Sequence, residues 1–579
     1  MFTKLRQWIP LLGAMTAMAV LAMSCGTAEE PEATPTPTPV FGLGEGGVVA
    51  TPTPSDTVAT PTAAPSKQGG ILRQTHRRSP LSFRLDVDSA TDQTANVSPL
   101  FNSLLALQSP DFVSLGPDLA TSWVIGADGK TFTFNLVPNI VNHNGNPWTS
   151  SDAKFTLETL TQKTENRGPH LFVSIGGVSN IESIETPDDN TLIVHLVDPD
   201  GLFLANMAQT NAAMYTEADY DETESLDNPV GTGPYKLTRH LAGEKLEFRA
   251  HDGYFKPEFP YLDGIDMFII RNEAAKLAAL EAKRIDLILM GSSHGLHAEN
   301  LTALGERHPG ELTFYAAQHT VLRAVKWNFR QDGPWQDKRV RQAINLAIDR
   351  DAVTSVLPSS LPGDWGPSGT YGVTDRDELA KKPGYARTGP AKDAEIAQAK
   401  QLMADAGYAD GFEVLALCRD TGEYRDHFCP VMEFVLRDTL NIRMTLDVQE
   451  SGAWTEKHDK TSDWFFEAGS TGSFRVDHPF DIFDHAFACG EGPMENEIGW
   501  CNEEFDDILR AMRVSADPVE LQVLFDQAMD LFFEEMPYVP VFWPARWPVS
   551  WNYVQNVPDE HFSGQYSQAR RLEQVWLDK

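Results

Sequence analysis

Basic residues are scarce in this sequence. Its 579 residues include 47 Lys+Arg against 82 Asp+Glu, a formal net charge of −35 at neutral pH. Phosphate binding needs clustered cations, so nucleic acid is excluded as a partner class. Adhesion to anionic lipid through a polybasic face is excluded for the same reason. Apolar runs are short: the one at residues 9–23 is about 15 long, against the roughly 20 needed to cross a bilayer. There is no Walker A motif, no repeat period, and no Cys/His/Glu cluster with zinc-like spacing. ATP hydrolysis and a resident metal or other cofactor are therefore not expected. What is present is ordinary for a globular protein, 41% hydrophobic and 10% aromatic residues. The length exceeds the roughly 250–300 residues at which single cores stop growing, so two or three packing units are expected.

The N-terminus has a short basic start (Lys4, Arg6) before its apolar run, the pattern of a secretory signal. It ends in Leu21-Ala22-Met23-Ser24-Cys25-Gly26, which is similar to the bacterial lipobox. The resemblance implies removal of residues 1–24 and lipidation of Cys25, several acyl chains on one residue making a firm anchor. The alternative is a plain signal followed by an incidental Cys. Residues 25–68 contain Thr-Pro repeats and almost no large apolar side chains. Such a segment cannot bury a core and reads as an extended tether, with a reach on the order of 100 Å. Gly42, Gly44 and Gly47 match the dinucleotide fingerprint G-x-G-x-x-G. That motif works only between a strand and a helix, so no nucleotide role is assigned.

From Gly69 onward the pattern is mixed α/β. Residues 130–137 (KTFTFNLV), 190–197 (NTLIVHLV) and 245–249 alternate apolar and polar positions and predict half-buried strands. Residues 149–160 predict a helix capped by Thr149 or Ser150, with Asp152 in its first turn and Phe155 and Leu160 inward. A second helix follows Asp337, with Val340, Ile344 and Ala347/Ile348 on one face. A third, 393–406, places Ile396, Ala399, Leu402 and Met403 inward and ends at Gly407. A fourth, near 519–535, stops before Pro537, and 538–543 reads as a buried strand.

Several motifs along this body occur in a telling order. They are Pro117-Asp118-Leu119-Ala120 with Ser122-Trp123, Asp128-Gly129-Lys130-Thr131-Phe132-Thr133-Phe134, Gly231-Thr232-Gly233-Pro234-Tyr235-Lys236-Leu237 and Tyr261-Leu262-Asp263-Gly264-Ile265. The densest is PWQDKRVRQAINLAIDRDAV at 334–353, followed by Ala404-Asp405-Ala406-Gly407-Tyr408 and Pro537-Tyr538-Val539-Pro540-Val541. Together they resemble the family 5 extracellular solute-binding proteins of ABC importers, the peptide-binding class. The resemblance implies an α/β, two-lobed periplasmic-binding-protein type II-like fold with an additional inserted domain. Domain I would comprise 69–112, 229–318 and 535–579; domain II, the insertion, 113–228; and domain III 319–534. It also implies an exported, monomeric receptor, held on the membrane by its lipid, that delivers a small solute, favourably a peptide, to permease subunits. An oligosaccharide or a metal chelate are alternatives on the same scaffold.

The candidate ligand residues come from the same resemblance. The family's cleft loop corresponds to residues 463–481, where Asp477-His478-Pro479 supplies a terminal acid and Pro. Upstream, peptide-binding members carry an acid that holds the ligand's ammonium. Here Phe474-Arg475 stands instead, and Arg475 favours a carboxylate or pairs with Asp477. Trp365 and Tyr371 lie in a second Gly/Pro-rich loop where aromatics stack on ligand or cover the core. Apart from Cys25 there are four cysteines, and an even number in an exported chain favours disulfides. Short spacings favour Cys418–Cys429 and Cys489–Cys501, with free thiols as the alternative. A reading of another class is a secreted serine hydrolase. Gly291-Ser292-Ser293-His294-Gly295 matches G-x-S-x-G, with Ser293 as nucleophile, between a predicted strand and helix. His294 and His297, three apart, read as loop residues rather than metal ligands.

Overall fold

The computed structural model describes residues 67–579 except 81, 85–93, 108–114, 161–179, 225–227, 289–295, 316, 319–320, 358–359, 362–374, 422, 474–477, 481–482, 484–486, 490–495, 516 and 559–570. The signal, Cys25 and the tether lie outside the described residues. Among those described, no helix is long and apolar enough to cross a membrane.

The first lobe is built on a seven-stranded mixed sheet. Its centre is Ile71–His76, paired in parallel with Gly264–Ile269 over six residues. Gly264–Ile269 pairs antiparallel with Lys245–Ala250, the strand expected from alternation, and Tyr235–Leu241 closes that edge. On the other side lie Leu287–Ile288, Val549–Trp551 and Leu312–Phe314. Leu72, Tyr235, Leu246, Phe248, Ile265 and Met267 form the core beneath it.

Between the first two strands of this lobe the chain makes a separate four-stranded antiparallel sheet, ordered Ala120–Ile125, Thr131–Leu136, Thr191–Leu196, Ile181–Asp188. Alternation sets its faces: Phe132, Phe134, Leu192, Val194 and Leu196 all point into one core. The helix Ser150–Leu160 packs on that core through Ala153 and Leu157. Asp152 accepts the Thr149 amide at 2.8 Å, as the capping pattern predicts. Phe155 does not share this face; it packs against the core of the first lobe.

The second lobe carries another seven-stranded sheet, in which Val321–Trp327 lies between Val539–Arg546 and Phe466–Ser473. Glu413–Arg419 and Arg443–Gln449 extend it in parallel. Its helices match the predicted periodicity. Asp337 caps Lys338–Ala347 by accepting the Arg339 amide at 2.9 Å, and Val340, Ile344 and Ala347 are buried. Pro390–Asp405 buries Ala399 and Met403, and Gly407 takes φ +89° just beyond its end, where a Cβ would be strained.

Two strand pairs join the lobes. One segment leaves the first sheet at Leu312–Phe314, passes Ala317–Gln318 and enters the second sheet at Val321–Trp327. The other runs back beside it, with pairs Val325↔Val539, Gln318↔Ala545, Ala317↔Arg546 and Phe314↔Val549. The strand Val539–Arg546 therefore belongs to the second sheet and only Val549–Trp551 to the first, whereas the sequence reading grouped 535–579 together. Residue 535 is where the helix Pro518–Glu535 ends. A helix stop is local and readable, but the sheet a strand joins is a long-range choice.

The small sheet is fixed to the first lobe by a buried charge network. Asp118, fully buried, meets Arg571 Nη1 at 2.5 Å and Lys256 Nζ at 2.9 Å, and Lys256 reaches Glu573 at 3.2 Å. Tyr254 donates to Glu573 at 2.6 Å, and the Ser103 amide and Asn102 Nδ2 donate to Asp118 at 3.1 and 2.9 Å. Thr232 Oγ1 in turn donates to Asn102 Oδ1 at 3.3 Å. Asp118 and Thr232 both come from motifs quoted above, so those signatures mark a structural joint.

A pair of histidines lies at the same joint. His143 accepts the Gly231 amide at Nδ1 (3.2 Å), its Nε2 faces the Gly233 carbonyl (3.1 Å), and its ring meets His251 edge-on at 5.0 Å. Burial, and then the neighbouring His251, lowers the pKa of His143 from 6.5 to about 3; burial also lowers that of His251. The unfolded chain protonates His143 near pH 6.5, but the folded chain does so only near pH 3. Stability is therefore unaffected by this residue above that range and declines as pH falls through it. The loss at about pH 5 is roughly 2 kcal/mol from His143 alone. Urea denaturation at about pH 7.5 and pH 5 checks this, and His143→Gln should reduce the difference by about that amount.

Candidate functional site

Phe466–Ser473 is a central strand of the second sheet and leads into segment 474–477. Phe474, Arg475 and Asp477 lie outside the described residues, as do Trp365 and Tyr371. What the structure does place is the support of this strand and the residues that follow it.

Beneath the strand is a buried charge cluster. Lys326, on Val321–Trp327, directs its ammonium at Glu467 Oε2 (2.7 Å), at Glu497 and at the Ser470 carbonyl (2.6 Å). His458 Nε2 lies 3.2 Å from Glu467 and 3.3 Å from Glu497, with Nδ1 2.8 Å from Asp459. Its ring is stacked between Trp454 (4.3 Å) and Trp464 (4.9 Å), each within 14° of parallel. Trp454 Nε1 donates to Glu467 Oε1 at 2.9 Å. Burial alone would lower the Lys326 pKa, but the two glutamates outweigh it and raise it. Burial would likewise raise Glu467, but Lys326 and His458 hold it below the usual carboxylate range. Atoms of His458, Glu467 and Glu497 lie within 4.8 Å of one another, a donor set that could ligate a divalent cation. The Lys326 ammonium is their counter-charge, so the arrangement is an ion cluster rather than a metal centre.

This cluster ties the strand to a second loop. Glu497 lies within the loop closed by the disulfide Cys489–Cys501, and Asn496 Nδ2 of that loop donates to the Ala488 carbonyl just before it at 2.9 Å. The other disulfide, Cys418–Cys429, joins the strand Glu413–Arg419 to the head of the helix Cys429–Leu440. On the same sheet Arg323 is paired with Glu423 at 2.7 Å, its guanidinium 4.9 Å from the Tyr424 ring. Past 474–477, His478 accepts the Phe480 amide at 3.2 Å, and its burial lowers its pKa to about 4.

Sequence reasoning missed Lys326, His458, Glu467 and Glu497. One signal was available: Lys326 sits in an otherwise apolar strand, and a Lys inside a sheet is almost never buried without a partner. The identity of that partner, 141 to 171 residues along the chain, was not readable locally.

Ser293 and His294 lie outside the described residues. His297 is held by Glu273, which accepts the His297 amide at 3.0 Å and also contacts its ring Nδ1 and the Asn300 amide group. Burial would raise Glu273, but the His297 and Asn300 hydrogen bonds bring its pKa down to about 2. Both partners serve the start of the helix Ala298–Arg307.

With this geometry in hand, a family model, bacterial extracellular solute-binding proteins, family 5 (middle), matches residues 114–489. The chain belongs to this family. As a solute-binding protein it is 23% identical to the dipeptide-binding protein of Escherichia coli K12, over 86% of this chain and 95% of that one. Its fold is that of solved binding proteins. AgaA from A. tumefacien R10, in complex with agropinic acid, aligns with a TM-score of 0.72 at 22% identity, over 88% of this chain and 99% of that one. DppA from Helicobacter pylori, in complex with the peptide STSA, aligns at 0.70 and 20% identity, over 89% and 99%. The two-lobed α/β architecture expected from the sequence is thus the architecture of its relatives.

Proposed function

We propose that this solute-binding protein serves an ABC importer, enclosing a small solute, a peptide in preference, between its lobes and presenting it to a membrane permease. The observation that carries this is the pair of crossing segments, the only links the described residues make between the two large sheets through strand pairing. Two sheets joined by one narrow ribbon can rotate as bodies, and a solute touching both shifts the population toward the closed arrangement. The peptide preference draws on the E. coli dipeptide-binding relative and the peptide-bound Helicobacter structure. No bond is made or broken in this role, and ATP is consumed by other subunits. In our reading the domain partition is that of the sequence analysis with the second crossing moved to 546–549, and Cys25 carries the lipid that holds a monomeric receptor at the outer face of its membrane.

Arg475 is assigned to the solute's carboxylate. Calorimetry with free and C-terminally amidated di- to pentapeptides tests both points. The free peptides should bind, and Arg475→Ala should weaken them by at least about tenfold while leaving amidated peptides unchanged. An oligosaccharide released from the purified protein, with no peptide bound, would overturn the peptide assignment.

A further inference from the structure

Away from the crossing strands, the described residues of the small sheet's body and the second lobe touch around Asp200. Asp200 and Gly201 follow the last strand of the small sheet, Thr191–Leu196. Asp200 Oδ2 is 2.8 Å from Arg513 Nη2, and both side chains are nearly buried. The Gly201 amide donates to the Arg513 carbonyl at 2.7 Å. Arg513 lies in the last turn of the helix Glu503–Val514, which belongs to the second lobe. Next to it Leu202 and Ala205, three apart and so on one face, pack into the second lobe's core, while Phe203 packs into the small sheet's own. There is no space at Gly201 for a side chain: a Cβ would stand 2.6 Å from the Ser515 carbonyl oxygen and 3.1 Å from that of Arg513.

The contact also touches the end of the candidate ligand loop. The Arg513 guanidinium is 5.1 Å from the Phe480 ring, and the charge of Asp200 acts on His478. Residues 478–480 thus lie beside this contact. We propose that Asp200, Gly201 and Arg513 form a latch between the small sheet and the second lobe, and that these positioning residues set how fast a bound solute leaves. The inference rests on the solute-binding reading above. A ligand clamped between lobes departs only when they part, so a contact that holds them together slows departure.

The decisive variant is Gly201→Ala. The φ of Gly201 is not in the left-handed region, so Ala is free to adopt its backbone, and the three atoms nearest the added methyl all belong to the opposite body. Arg513→Met removes the charge pair, and Arg513→Lys restores a cation. Dissociation of trialanine from the full chain, followed by stopped flow, should speed up by about tenfold or more in Gly201→Ala and Arg513→Met, with Arg513→Lys intermediate. A merely destabilised fold would lower the binding-competent fraction but leave the dissociation rate alone. Hydrogen exchange of the residue 201 amide in the ligand-free chain, relative to its intrinsic rate, should accelerate in the same variants. Unchanged dissociation and unchanged exchange overturn the latch. If the parent does not bind trialanine, the failure belongs to the peptide reading and the exchange arm alone decides: faster exchange supports the latch and unchanged exchange rejects it.

Discussion

Lys326→Met is expected to cost the folded chain about 3–5 kcal/mol, the range seen when one partner of a buried ion pair is removed. The reason is electrostatic. Lys326 is fully buried, and without its ammonium Glu467 and Glu497 face each other and His458 with no lysine between them. Met fills the space of the stem but offers no counter-charge. The triple change Lys326→Met/Glu467→Gln/Glu497→Gln removes the charges together and should recover most of the loss, because a desolvated but neutral set has less to lose by burial. Urea denaturation followed by tryptophan fluorescence suits the test, since Trp454 and Trp464 flank His458. A loss below about 1 kcal/mol would mean the cluster is solvated like a surface pair. The pH behaviour has a definite sign. The Glu467 pKa is depressed, so its contribution is present above 4.5, its ordinary value, and disappears as pH falls through the folded value. The Lys326 pKa is raised, so its contribution is present below 10.5 and disappears as pH rises through the folded value. Around neutrality both of these contributions are constant, and the first losses on acidification belong to the histidines that burial keeps neutral, His143, His251 and His478.

Arg571→Met should cost a similar amount, about 3–5 kcal/mol, with a different local signature. Asp118, Glu573, Arg571 and Lys256 form a neutral set of four with three of the side chains almost wholly buried. Burial would raise Asp118, yet Arg571 and Lys256 hold it below the carboxylate range, which measures how strongly it depends on them. Losing Arg571 leaves two carboxylates with one lysine. Because Asp118 also accepts the Ser103 amide, hydrogen exchange at Ser103 should rise together with the global loss. Adding Asp118→Asn to Arg571→Met leaves Lys256 paired with Glu573. The double variant should therefore lose less than the two single losses summed, and additive losses would refute the coupling.

Both clusters bear on what was legible beforehand. Pro117-Asp118 and Gly231-Thr232-Gly233 stood out in the sequence as family signatures, and the family they signalled is the one the chain belongs to. Their work was not legible: Asp118 meets Arg571 across 453 residues, and Thr232 meets Asn102 across 130. The candidate ligand residues were named from the resemblance. The supporting residues, Lys326 and its partners, were missed because each looks like an ordinary charged residue until the strands are paired.

The amino-acid sequence by itself determined the local order of this protein. Alternation in TFTFNL and TLIVHL set which face of the small sheet is buried, and caps such as Asp337 and stops such as Gly407 set helix ends, because these depend on neighbours within a turn or a strand. Only the tertiary structure decided which sheet 539–546 joins, which carboxylates receive Lys326 and Arg571, and that Asp200 reaches Arg513. Those are pairings between segments about 140 to 450 residues apart, the charged ones selected by which buried charges must find a partner once the chain has closed.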